Sequence, residues 1–147
     1  MRFKLLLITL LVSCVGWGQG SESFENSSLS ASYASGNFTG DNGIQWNYVG
    51  SRDHSTYGIN NKGIMFEGAT TAKIISASIS GGIGSFTCNL KKAFTGAGNR
   101  QVELFINGVS KGSSVAWDNT TVQIFTVSNI NITGNVIIEI KNKLTKL

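Results

Sequence analysis

Short runs in which apolar and polar residues alternate, separated by clusters rich in Gly and Asn, constrain the fold of this chain most strongly. Alternation with a period of two is typical of half-buried β-strands, because successive side chains of a strand face opposite sides of its sheet. The 147 residues include 18 Gly and no Pro, so the turns between the runs depend on residues that tolerate positive φ. We find no helical periodicity beyond the apolar N-terminal segment.

These runs predict an all-β fold, a sandwich or barrel of about nine short strands. Segment 34–43, ASGNFTGDNG, is interpreted as one of the turn clusters between them. The predicted strands cover residues 21–25, 44–49, 63–66, 73–78, 84–93, 101–106, 109–117, 122–127 and 135–141.

A G-x-S-x-G string, the motif of many hydrolase nucleophiles, occurs at residues 108–112. The same residues follow Asn107, and Asn107-Gly108 between two alternating runs is a strong signal for a hairpin with a type I′ turn. A nucleophile elbow requires a helix after the Ser, and His54, the single His of the chain, would have to reach Ser110 across the fold. The sequence therefore favours the hairpin and predicts that the protein is not an enzyme.

The first residues, 1–18, have the pattern of a signal peptide, with two bases followed by the apolar run 5–15. Cleavage after this segment would leave Gln19 as the first mature residue. A second route is open, because LVSC at 11–14 matches a lipobox and would make Cys14 the acylated residue of a lipoprotein. Both routes predict an exported protein, extracellular or at the cell surface, and the apolar run is too short for a transmembrane segment.

Residues 19–142 are predicted to form one domain, followed by a short basic tail at 143–147 that is a possible truncation point. Between Gln19 and Ile140 the chain has seven bases and eight acids. Binding to a phosphate backbone requires a basic stripe, so this balance predicts that the domain binds no nucleic acid. Cys88 lies in an alternating run and is interpreted as a small buried side chain.

Four segments resemble a jelly-roll module of secreted bacterial proteins that use the type IX export route: ESFENS at 22–27, FTGDNGIQWNYVGSRD at 38–53, residues 78–114 and NINITGNVIIEIKN at 129–142. Such modules are similar in architecture to carbohydrate-binding modules and accompany extracellular endonuclease I or lamin-tail domains. The resemblance covers Glu22 to Asn142 and implies a non-catalytic sandwich of two antiparallel sheets. It implies no particular ligand.

The chain departs from these modules at its end, where KLTKL at 143–147 replaces a further strand. We therefore expect an unpaired edge beside the apolar run 136–140 and interpret the chain as a truncated or degenerate copy. Jelly-roll modules of this kind often hold a structural calcium ion, for which Glu25 is a candidate ligand without its usual second acid. Asp41, in an Asp-Asn-Gly loop, is a second calcium candidate, although ordinary turn chemistry explains it as well.

Glycan binding by such a module would use aromatic rings flanked by polar side chains. Trp46 and Tyr48 share one face of a predicted strand and are assigned to the core. The ligand-binding candidates are therefore rings near loops, with their polar neighbours: Trp117, Tyr57, Arg52 and Asp53. We expect an accessory module that binds carbohydrate or another extracellular polymer. The alternative is a structural spacer or protein-interaction module that packs on a neighbouring secreted domain.

Overall fold

The computed structural model describes residues 20–143, and in this part of the chain the alternating runs form nine β-strands. A short 3₁₀ turn, Ser55–Tyr57, is the sole helical element among these residues. The strands are β1 Ala34–Thr39, β2 Gln45–Arg52, β3 Met65–Phe66, β4 Lys73–Ser76, β5 Phe86–Leu90, β6 Val102–Ile106, β7 Val109–Ser113, β8 Gln123–Val127 and β9 Ile138–Asn142.

The strands form two antiparallel sheets. The larger sheet has seven strands in the order β1-β2-β4-β9-β6-β7, with β3 paired to the end of β2. The smaller sheet consists of β5 and β8, and isolated bridges at Ile83–Ile132 and Ile79–Val136 continue the same antiparallel pairing beyond it. The prediction of an all-β sandwich with about nine strands is confirmed.

A row of apolar residues crosses the larger sheet and forms the centre of the core. Tyr48 lies opposite Ile74, Ile74 opposite Ile140, and Ile140 opposite Leu104. Ile74 and Leu104 are almost fully buried, at 1% and 0% exposure. Phe125 of the smaller sheet belongs to the same cluster. Burial of each such side chain stabilises the fold by roughly 1.5–3 kcal/mol.

Several predicted core residues occupy the expected positions. Trp46 is buried and packs edge-on against Phe24, with ring centres 5.8 Å apart, while Tyr48 packs against the buried cluster. Cys88 also packs against this cluster, and burial raises the pKa of its thiol to about 12. Cys88 is thus partly buried against the core, which is less than the full burial that the alternation predicts.

The hairpin predicted at Asn107-Gly108 joins β6 to β7. Both turn residues have positive φ, 52° and 77°, as a type I′ turn requires. Ser110 follows on β7 rather than on a helix, and its hydroxyl donates a 2.6 Å hydrogen bond to Glu103 Oε1 across the hairpin. The hairpin interpretation of the G-x-S-x-G string is confirmed.

The strand predictions near the N-terminus were wrong at two places. Residues 21–25 form no strand. The Glu22 carboxylate instead accepts hydrogen bonds from the N–H of Phe24, two residues away, and from Nε1 of Trp46 across the fold. Segment 34–39, assigned to a turn, is β1. Its Gly36 lies against the Tyr48 ring, where an added Cβ would approach the hydroxyl within 2.7 Å, so a residue that disfavours strands is required there by packing.

The predicted unpaired edge beside residues 136–140 was also wrong. β9 lies inside the larger sheet, hydrogen-bonded to β4 on one side and to β6 on the other. Val136, which precedes β9, is 1% exposed and bridges Ile79. Within residues 20–143 the strands with an open side are instead β1, β3 and β7 of the larger sheet and both strands of the smaller one.

The predictions for the signal peptide at 1–18, for Cys14 and for the tail beyond Lys143 lie outside the described residues. Among residues 20–143, no helix has the length and apolar character needed to cross a bilayer.

Candidate functional site

A cleft of about 820 Å³ opens between β5 and the larger sheet. Ile74, Val102 and Ile140 of the larger sheet line it on one side, and Cys88 and Leu90 of β5 line it on the other. The loop between β2 and β4 also lines the cleft. Its volume lies within the range of about 300–1,000 Å³ that is typical of ligand sites, and its lining combines apolar side chains with many polar and charged ones.

Aromatic rings that line this cleft gather around one cation, Arg52, which is itself not among the lining residues. The guanidinium carbon of Arg52 lies 4.4 Å from the ring centre of Tyr33 and 5.6 Å from that of Phe94. Tyr57 contacts Phe94 at 4.7 Å, and His54 contacts Tyr57 at 5.1 Å between ring centres. We call these residues the aromatic–cation cluster: Tyr33, Arg52, His54, Tyr57 and Phe94. Cation–π contacts contribute about 0.5–1 kcal/mol each at exposed sites.

The end of β2 positions Arg52 in the cluster. Arg52 pairs with Met65 of β3, and its Nε donates a 3.2 Å hydrogen bond to the Met65 sulfur. Its Nη1 donates a 3.2 Å hydrogen bond to the carbonyl of Ala31, and the N–H of Asp53 donates to Ser30 at 2.9 Å. These bonds hold the segment before β1 against the end of β2, which brings Tyr33 to the guanidinium.

Loops position the remaining rings. The 3₁₀ turn that carries Tyr57 begins with a 2.8 Å hydrogen bond from its N–H to the carbonyl of His54. Phe94 follows β5, and Lys91 at the start of the same loop donates to the carbonyl of Gly58 at 3.1 Å. The two loops are thereby held together, and the Tyr33 and Phe94 rings remain 40% and 41% exposed.

Three of the four predicted ligand-binding residues come together here. Arg52 and Tyr57 belong to the cluster, and Asp53 lies between them in sequence and lines the cleft. The Asp53 carboxylate accepts a long hydrogen bond, 3.4 Å, from the N–H of Gly63. Arg52 forms no ion pair within residues 20–143, so its charge faces rings and carbonyl groups rather than a carboxylate.

Trp117 does not present the exposed ring that the sequence predicts. It is 9% exposed and belongs to the core, where backbone hydrogen bonds of 2.7 and 2.9 Å pair it with Arg100. Its ring lines the interior of the cleft, and its Nε1 is buried without a hydrogen-bond partner among the described residues. His54 Nδ1, also in the cleft lining, is buried without a partner as well.

The two calcium candidates accept hydrogen bonds from residues that are remote from them in sequence. Asp41 accepts hydrogen bonds from Ser23 N at 2.8 Å and from Asn26 Nδ2 at 2.9 Å, and hydrogen bonding from Ser23 is the main cause that lowers the pKa of Asp41. Glu25 accepts a 3.2 Å hydrogen bond from the N–H of Lys62. Within residues 20–143, no group of three or more His, Cys, Asp or Glu side chains is placed to hold a metal ion.

Sequence reasoning missed Tyr33 and Phe94, the most exposed rings of the cluster. Both are flanked by small residues, in SASYASG and KAFTGAG, and neither was assigned to a predicted strand or named as a ligand-binding candidate. A single large ring among small residues was the available signal, because such a ring has no strand partner to cover it. The contact of both rings with Arg52 joins segments remote in sequence and could not be inferred from either segment.

No protein-family model, no curated protein and no solved structure matches this chain. Its function is therefore inferred from the geometry of the site.

Proposed function

We propose that this protein is a secreted, non-catalytic accessory module that binds carbohydrate or another extracellular polymer at the aromatic–cation cluster. The observation that carries the proposal is the placement of two partly exposed rings, Tyr33 and Phe94, around the guanidinium of Arg52. Aromatic rings bury the apolar faces of a ligand at small entropic cost, since few torsions are ordered. Arg52 and Asp53 would supply hydrogen bonds to hydroxyl groups beside those rings.

The resemblance of residues 22–142 to jelly-roll modules of secreted bacterial proteins supports the same proposal. The cleft behind the cluster supports it further, because it offers a concave surface of about 820 Å³ next to the rings. A polymer chain would lie across the mouth, with one residue entering the cleft.

The non-catalytic character is supported by the surroundings of the nucleophile candidates. The Ser110 hydroxyl donates to Glu103 across the β6–β7 hairpin, and the His54 ring lies against the Tyr57 ring at a tilt of 48°. The Cys88 thiol is held protonated by burial, with a pKa of about 12.

A pull-down of the full chain on insoluble polysaccharides, together with a glycan array, tests the proposal. We expect Tyr33→Ala and Phe94→Ala each to weaken binding about tenfold, the loss expected when a stacking contact of about 1.4 kcal/mol is removed. Ile124→Ala is the matched control, since Ile124 is 73% exposed on the smaller sheet, away from the cluster. Absence of binding to every glycan would overturn the carbohydrate claim.

A second function, a spacer or protein-interaction module, is favoured by one observation. Val115 and Ile124 line a groove of about 460 Å³ beside β8 and are 87% and 73% exposed. Exposed apolar side chains that share a groove are typical of a contact surface. Hydrogen-exchange measurements with an extracellular endonuclease I domain added would test this function, and unchanged exchange at residues 113–126 would contradict it for that partner.

A further inference from the structure

We propose that the ligand at the aromatic–cation cluster carries an oxyanion, either the carboxylate of a uronic acid or a sulfate ester, and that Arg52 binds it. This inference rests on the proposed function, because it names the class of polymer that the same site selects. It goes beyond ring stacking, which would serve neutral and acidic sugars equally.

Two hydrogen bonds hold the guanidinium of Arg52 in place and leave some of its donors free. Nε donates to the Met65 sulfur and Nη1 to the Ala31 carbonyl, both at 3.2 Å, while the rings of Tyr33 and Phe94 lie within 5.6 Å of the guanidinium carbon. Nη2 makes no hydrogen bond within residues 20–143. An ordered planar fork with donors to spare binds a carboxylate or sulfate at a small entropic cost.

No carboxylate within residues 20–143 forms an ion pair with the guanidinium of Arg52. Elsewhere in the described chain, Lys73 pairs with Glu139 and Lys92 with Asp118. Arg52 has no such partner, and the carboxylate of neighbouring Asp53 accepts instead from a backbone N–H. An oxyanion from a ligand would supply the missing counter-charge.

The charges lining the cleft limit how the selectivity arises. The lining contains as many bases (Lys62, Lys91, Lys92, Arg100) as acids (Glu22, Glu25, Asp53, Glu67). The cleft therefore has no strong field of one sign, and a charged polymer would not be attracted from a distance. The preference must come from direct contact at Arg52, which predicts a shallow dependence of affinity on salt, close to that of a single charge contact.

The ligand that fits this arrangement has an apolar ring face and an oxyanion on the same residue. The ring face would lie on Tyr33 or Phe94 while the oxyanion accepts hydrogen bonds from Arg52. Loss of a charge-assisted hydrogen bond costs between about tenfold and about a hundredfold in affinity. We therefore expect that much discrimination between an acidic polymer and its neutral counterpart.

The experiment measures binding of the full chain to two matched pairs of soluble polymers by titration calorimetry. Polygalacturonate is compared with its methyl ester, and dextran sulfate with dextran, so that each pair shares one sugar backbone and differs in its acidic group, and the two pairs separate carboxylate from sulfate. The variants are Arg52→Met and Arg52→Lys, with Lys111→Met as control. The side chain of Lys111, on β7, makes no hydrogen bond or ion pair within the described chain, so its replacement removes one charge without altering the cluster.

We expect one acidic polymer to bind at least tenfold more tightly than its neutral counterpart. This preference should be lost in Arg52→Met and largely lost in Arg52→Lys. Lys111→Met should bind within twofold of wild type. The comparison of the paired polymers needs only the wild-type chain, so the test holds even if Arg52→Met fails to fold. Equal binding of acidic and neutral polymers would overturn this inference and leave the proposed function standing. Equal losses in Arg52→Met and Lys111→Met would overturn it too. Failure of all four polymers to bind would also overturn this inference, whereas the proposed function is decided by the pull-down and the glycan array.

Discussion

Asn107 accepts a 2.7 Å hydrogen bond on its side-chain oxygen from the backbone N–H of Ile137, just before β9 begins. Its own N–H donates to the Ile137 carbonyl at 2.9 Å, and its Nδ2 donates to Asn135 at 3.3 Å. The residue that turns the β6–β7 hairpin thus also holds the segment that leads into the middle of the sheet.

Replacing Asn107 tests this double role. Asn107→Gly keeps the positive φ but removes the side-chain hydrogen bonds, and we expect the free energy of unfolding to fall by about 1–2 kcal/mol. Asn107→Asp keeps the acceptor for the N–H of Ile137, so its free energy of unfolding should fall less. Urea denaturation measures both. If Asn107→Gly were as stable as wild type, the turn would act through its φ angle alone.

The alternation in β8 predicts opposite outcomes for neighbouring residues. Phe125 is 6% exposed and packs at 6.2 Å from Phe86, so Phe125→Ala should destabilise the protein by about 3–5 kcal/mol. Ile124 is 73% exposed, and Ile124→Thr keeps a β-branched side chain, so its effect should stay within about 0.5 kcal/mol. Denaturant midpoints give the comparison, and similar losses at both positions would argue against the placement of this strand.

The Cys88 thiol should be unreactive in the folded protein. Its pKa of about 12, against an ordinary value of 9.0, leaves about a thousandfold less thiolate near neutral pH. In a Cys14→Ser background, a disulfide reagent should therefore modify Cys88 readily in denaturant and very slowly without it. Rapid modification of the folded chain would show that Cys88 is not covered.

The same pKa shift predicts a loss of stability in alkali. The unfolded thiol loses its proton above about pH 9 while the folded thiol keeps it up to about pH 12, so the free energy of unfolding falls across this window. Cys88→Ala should lack this contribution. The difference between the two pH profiles isolates it from the titration of Tyr and Lys, and parallel profiles would contradict it.

The ion pair between buried Lys92 and Asp118 predicts a loss of stability in acid. Hydrogen bonding from Lys92, and then from the N–H of Gly98, lowers the pKa of Asp118 below its ordinary value of 3.8. A depressed pKa contributes stability above pH 4 that is lost as the pH falls through the folded value. Asp118→Asn should lower the melting temperature at pH 7 and flatten the acid side of the profile.

Lys92→Met provides the control for this pair. The Lys92 side chain is almost completely buried, whereas that of Asp118 is 39% exposed, so Lys92→Met leaves a charge in contact with water rather than an unpaired buried one. We expect the melting temperature of Lys92→Met to equal or exceed that of wild type. A loss as large as that of Asp118→Asn would mean that Lys92 has a further role.

The sequence predicted those parts of the fold that depend on local pattern. Eight of the nine strands coincide with predicted runs, because the alternation in segments such as 102–106 is set by the residues themselves. β1 was missed since its Gly36 is favourable only beneath the ring of Tyr48. The site was half predicted, as Arg52 and Tyr57 lie near one another in sequence, whereas the rings of Tyr33 and Phe94 reach them through tertiary contacts alone.

The position of β9 has a consequence for the order of assembly. The β1-β2-β4 half of the larger sheet meets the β6-β7 half only through β9, so neither half can be completed until residues 138–142 have been made. A nascent chain that ends before them would carry two unjoined fragments, and their closure over long sequence separations is intrinsically slow. The larger sheet should therefore stay incompletely folded during synthesis and should form in one late step, once residues 138–142 are available.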